Sequence, residues 1–68
     1  MMARGVRNIY DTTVYDIPSK ETGEKVGTLE AGAVREVRME GFNGWLLVAE
    51  GWIRPIRLAW VALMGVST

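Results

Sequence analysis

The chain has 68 residues, 49% of them apolar and 24% charged, with eight basic and eight acidic side chains and a net charge of zero. It contains no cysteine and no histidine, which excludes thiol redox chemistry, Cys–His or Ser–His nucleophilic catalysis and His- or Cys-based metal sites. The zero net charge weighs against a protein that neutralises many phosphates, and a single domain this short buries only about 60% of its unfolded surface, so close packing or oligomerisation must support it.

In chain order, residues 1–11 read as a basic N-terminal arm carrying Arg4 and Arg7, with no apolar run of signal-peptide length behind it. Thr12 to Ile17 is β-branched and aromatic and ends at Pro18, which predicts a strand. The polar stretch S-K-E-T-G-E-K after it predicts a long loop. Val26 to Leu29 is a short apolar strand, followed by a turn at Gly32. Ala33 to Met39 alternates imperfectly, and placing both Val34 and Val37 in a core calls for a bulge near Arg35. Asn43-Gly44 is a strong hairpin signal and predicts a type I′ turn. Trp45 to Val48 is the next strand, Glu50-Gly51 a tight turn, and Trp52-Ile53 the strand after it, with Pro55 ending the ladder.

From Leu58 to Thr68 there are no charges. The segment is about half the length of a membrane-spanning helix, so it requires a protein surface and not lipid. Ile56, Trp60, Leu63 and Met64 fit a helical spacing, but Leu58, Val61, Ala62 and Val66 between them are also apolar, which leaves helix and strand both open. Either way the segment is apolar on two sides. The body of the protein covers one, and the other calls for a second chain.

The ordered pieces V-Y-D-I-P-S (Val14–Ser19), V-G-T-L-E-A-G (Val26–Gly32), G-W-L-L-V (Gly44–Val48) and G-W-I (Gly51–Ile53) resemble the bacterial Src-homology-3-like (SH3-like) domain family over about Thr12 to Leu58. The resemblance implies an all-β fold: a small five-stranded, partly open antiparallel SH3-like barrel over residues 12–58. Residues 59–68 then read as a short apolar C-terminal extension with no counterpart in that family. It also implies a role without catalysis or cofactor. Such domains bind cell-wall peptides or other protein segments, or serve as structural inserts in larger machines.

Three sets of residues are candidates for contact with a partner. Tyr15, Phe42, Trp45 and Trp52 sit where related domains form an aromatic peptide groove, with Asp16, Glu21 and Glu24 placed to select a basic ligand; the alternative is ordinary packing. Trp45, just after a turn, is expected to stand proud of the sheet. Leu58, Trp60, Val61, Leu63, Met64 and Val66 form a docking surface, the alternative being a segment folded back on its own barrel. Arg35, Arg38, Arg54 and Arg57, joined by Arg4 and Arg7, form a phosphate-binding patch if their strands are adjacent; the alternative is a solvated face paired with Glu36, Glu40 and Glu50. No metal site is expected. The expectation from the sequence is a structural assembly protein of a multisubunit complex such as a virus particle, with a protein partner or self-association, no membrane span and no small-molecule substrate; a peptide- or cell-wall-binding module using the aromatic groove is the alternative, and nucleic-acid binding through the arginines, disfavoured by the zero net charge, is the third reading. Its expected place is the cytoplasm or a particle assembled there.

Overall fold

A computed structural model describes residues 3–63 as eight short strands and no helix. They are β1 (Ala3–Asn8), β2 (Thr12–Tyr15), β3 (Lys25–Leu29), β4 (Val34–Glu36), β5 (Met39–Glu40), β6 (Leu46–Val48), β7 (Gly51–Ile53) and β8 (Leu58–Leu63). All pairings are antiparallel. They build a three-stranded sheet in the order β4-β1-β8 and a five-stranded sheet in the order β3-β2-β7-β6-β5. The two sheets do not close into a barrel. Five strands were expected over residues 12–58, where the chain forms β2 to β7 because a corner divides the predicted strand 33–39 into β4 and β5; β1 and β8 come from the predicted arm and extension.

One such corner joins the sheets. The Val37 N–H donates to the Arg4 carbonyl (2.9 Å) in one sheet, and the next amide, Arg38 N–H, donates to the Leu47 carbonyl (2.8 Å) in the other. The irregularity expected near Arg35 therefore falls at Val37 and Arg38, while β4 itself runs in regular register with β1. The reason lies in Val34, which stays 37% exposed. Only Val37 is carried onto the core, and the corner carries it. The bulge that does occur is in β3, where Val26 is the extra residue opposite the Val14–Tyr15 step of β2.

The core takes alternate residues from most strands. Val6, Val14, Leu29, Leu46, Val48 and Ile53 are buried together, with Val37 and Leu58 packed against them. Each such aliphatic side chain removed from water contributes about 1.5–3 kcal/mol.

The hairpin after β5 forms where Asn43-Gly44 predicts it, but with a different turn. Gly44 donates to the Gly41 carbonyl (2.9 Å) and Gly41 to the Trp45 carbonyl (2.7 Å), and in the loop only Gly44 has a positive φ, +87°. This is a three-residue loop with a glycine bulge, not a type I′ turn, since Asn43 keeps a negative φ. Its side chain is used instead: Asn43 Nδ2 donates to the Pro18 carbonyl (2.8 Å), and Oδ1 accepts from the Trp45 N–H (3.2 Å).

Two segments differ from expectation. Residues 3–8 are the central strand of the three-stranded sheet, not an arm: Val6 is fully buried, and Asn8, 1% exposed, donates through Nδ2 to the Leu29 and Glu30 carbonyls, both at 3.4 Å. The C-terminal segment, open between helix and strand, is the strand β8 over Leu58–Leu63, paired to β1 from Asn8↔Leu58 to Ala3↔Leu63. The predicted extension and the predicted arm are thus neighbouring strands of one sheet.

Candidate functional site

Cross-strand partners share a face of a sheet. Tyr15 pairs with Trp52, Trp52 with Leu47, and Leu47 with Met39, so these four form a row across β2, β7, β6 and β5. The alternate residues Val14, Ile53 and Leu46 fill the core, so the row lies on the outer face. Tyr15, Trp52 and Leu47 are half-buried and Met39 is 57% exposed. Trp45 joins this group but does not stand proud. It is 8% exposed and meets the Tyr15 ring edge-on. Tertiary contact with Tyr15 overrides its position after a turn. Phe42 projects fully into solvent at the hairpin tip. Of the acidic trio, the Asp16 carboxylate closes its own loop by accepting the Glu24 N–H (2.7 Å), whereas Glu21 and Glu24 remain at least partly exposed.

The same face continues into a shallow slot that the sequence pattern does not announce, lined by Tyr10, Thr13, Tyr15, Arg54, Ile56 and Arg57. Arg57 has a φ of +55°, a strained value for a residue with a Cβ, and its guanidinium lies 4.7 Å from the centre of the Tyr10 ring. Nothing in the local pattern around Tyr10 marks it as a partner for a residue so distant in the chain.

The arginines are divided. Arg54 and Arg57 share the slot, Arg35 is paired with Glu50 (2.8 Å), and Arg38 sits at the corner between sheets. Arg4 reaches Glu40 (3.4 Å) and lies over the Trp60 ring at 4.4 Å. Two of the four candidate arginines are brought together, and the other pair is placed elsewhere.

The third candidate set lies on β8, an edge strand of its sheet. Ile9 N–H donates to the Arg57 carbonyl (3.0 Å), and in the register of β1 with β8 the hydrogen-bonded positions recur every second residue. Ala59, Val61 and Leu63 therefore turn their main-chain groups toward β1, and Leu58, Trp60 and Ala62 turn theirs outward. Among the described residues no strand pairs with that outer edge. Edge strands are ordinarily guarded by charge, proline or a bulge. The edge strand β3 has Lys25, Gly27 and a bulge of its own at Val26, whereas β8 reads L-A-W-V-A-L without interruption. Trp60 is 50% exposed there, Leu58 packs on the core, and Val61 and Leu63 are half-buried. Met64 and Val66 lie outside the described residues.

No protein-family model, curated protein or solved structure matches this chain. Among the described residues no helix is long and apolar enough to cross a membrane.

Proposed function

We propose that the protein is a non-enzymatic assembly module, a small SH3-like domain that joins a larger multisubunit complex, such as a virus particle, through its C-terminal strand. The carrying observation is the outer edge of β8, an uncharged six-residue strand on which Leu58, Trp60 and Ala62 turn main-chain groups toward no partner among the described residues, with a half-exposed tryptophan among them. An added strand would satisfy those groups, and Trp60 would supply a buried anchor. The SH3-like part of the reading is supported by the resemblance in sequence, the long loop between β2 and β3, and the chain crossing between two small antiparallel sheets. Ala62→Lys, at an exposed position, tests the role. In material from the native source the unaltered protein should sediment with a large complex and the variant should be lost from it. Recovery of the unaltered protein as a free chain, or retention of the variant, would refute this reading.

A second reading, a peptide-binding module, is favoured by the row Tyr15–Trp52–Leu47–Met39. Its test is Leu47→Lys, which should remove peptide capture if the row is the groove.

A further inference from the structure

Among the possible occupants of the β8 edge, one fits by shape, charge and symmetry: the same strand from a second copy. We infer that two chains pair β8 to β8, antiparallel, about a twofold axis passing between their Trp60 residues. The inference rests on the edge-docking role proposed above and names its partner.

The register follows from the main chain. Only Leu58, Trp60 and Ala62 present free groups at the edge, so hydrogen-bonded partners across the new junction must be drawn from these three. A register that uses all of them is self-complementary: Trp60 faces Trp60 of the partner, and Leu58 faces Ala62 in both directions. The intervening non-hydrogen-bonded pair is then Ala59 against Val61.

In this register Leu58 and Val61 each meet an alanine, Leu63 falls opposite the Arg57 that precedes the second copy's strand, and the one large pair is the tryptophan at the axis. The strand carries no charge, so no like charges are brought together. Of the cations beside the strand, Arg4 is paired with Glu40 and lies over Trp60, and Arg57, just before Leu58, turns its guanidinium to the Tyr10 ring. The three-stranded sheets merge into one of six strands, β4-β1-β8-β8-β1-β4. A one-residue slip would set inward-facing groups against outward-facing ones, and a two-residue slip would oppose Trp60 to Leu58 or Ala62 and leave edge groups unpaired.

The chain has no cysteine, so introduced thiols report the register without interference. Ala59→Cys and Val61→Cys chains are prepared separately, both keeping Trp60, and oxidised alone and as a mixture. Directly opposed non-hydrogen-bonded positions lie within disulfide reach, so the mixed disulfide should form about tenfold faster than either homodisulfide. Sedimentation of the unaltered chain should show its 7.6 kDa mass doubling with concentration. Ala62→Lys should stay at the monomer mass, with a thermal transition that matches the unaltered chain's at concentrations where that chain too is monomeric.

A chain that remains monomeric at about millimolar concentration overturns the dimer, since a dissociation constant above that range is too weak for an assembly contact. That outcome leaves the assembly role to be judged by the native sedimentation test. A dimer that survives Ala62→Lys, or shows no preference for the mixed disulfide, overturns the β8 junction.

Discussion

The Tyr15 ring meets the Trp45 ring edge-on, with centroids 5.4 Å apart and planes inclined at 70°. Trp45 is thereby a packing residue on the face opposite the aliphatic core. Trp45→Ala should cost about 3–5 kcal/mol, the usual range for emptying a buried aromatic site. Phe42→Ala, at a fully exposed tip, should stay within about 0.5 kcal/mol. Urea unfolding followed by circular dichroism measures both. A Trp45→Ala midpoint equal to that of the unaltered chain would contradict the packing role.

Gly51 has a φ of +145°, and a Cβ there would come within 2.7 Å of the Tyr15 carbonyl oxygen and 2.9 Å of Val14 Cγ1. Both the backbone conformation and the space oppose a side chain, and neither obstacle is a flexible side-chain end that can swing away. Gly51→Ala should lose about 3 kcal/mol by strain and overpacking. The thermal midpoint is the readout, with Gly32→Ala as the comparison, because Gly32 has a positive φ but open space around it.

Asn8 holds the turn before β4 from beneath. Its main chain accepts from Gly32 (2.8 Å) and donates to Ala33 (3.0 Å), and its amide donates to Leu29 and Glu30. Those last two bonds, at 3.4 Å, are long, so Asn8→Ala should cost only about 1–2 kcal/mol. Asn8→Asp should cost more at neutral pH, since a carboxylate would face two carbonyl oxygens without a proton to donate. Its deficit should shrink as pH falls and the carboxyl is protonated. Urea titrations of the Asn8→Asp chain between about pH 4 and pH 7 measure this, and equal deficits at the two ends would rule out the donor role.

Asn43 ties two loops together through its bond to the Pro18 carbonyl. Asn43→Ala should change global stability by no more than about 1 kcal/mol, as expected of one exposed hydrogen bond. The local effect should be larger. Amide exchange at Ser19 and Gly23 should accelerate while the amides of the β6–β7 ladder hold their rates.

Turns and strands were legible where single residues dictate them. Gly32, Gly44 and Pro55 punctuate the chain as expected, and the strands between them lie close to their predicted bounds. The strand β1 was not legible, because Ala3, Gly5 and Arg7 alternate with Arg4, Val6 and Asn8, and neither set reads as an apolar face. What places Val6 in the core is its pairing with Trp60 and Arg35, partners far along the chain. Within the aromatic set, Tyr15, Trp45 and Trp52 do gather on one sheet. The expected exposure of Trp45 failed because a local turn signal carries no information about the ring that packs against it. The apolar character of 58–63 was plain in sequence. Its outward-facing hydrogen-bonding groups depend on the register with β1, which no local pattern encodes.

Ala3 and Leu63 are the last cross-strand partners of the β1–β8 ladder among the described residues. Tension applied between those two residues would therefore load one hydrogen-bonded rung at a time and peel the pair apart like a zipper. Pulling instead from Ala3 against a point near Leu58 would load all the rungs in shear. The β1–β8 pair should therefore yield at lower force when peeled than when sheared, and a neighbour gripping both strands near Ala3 and Leu63 would pull in the peeling direction.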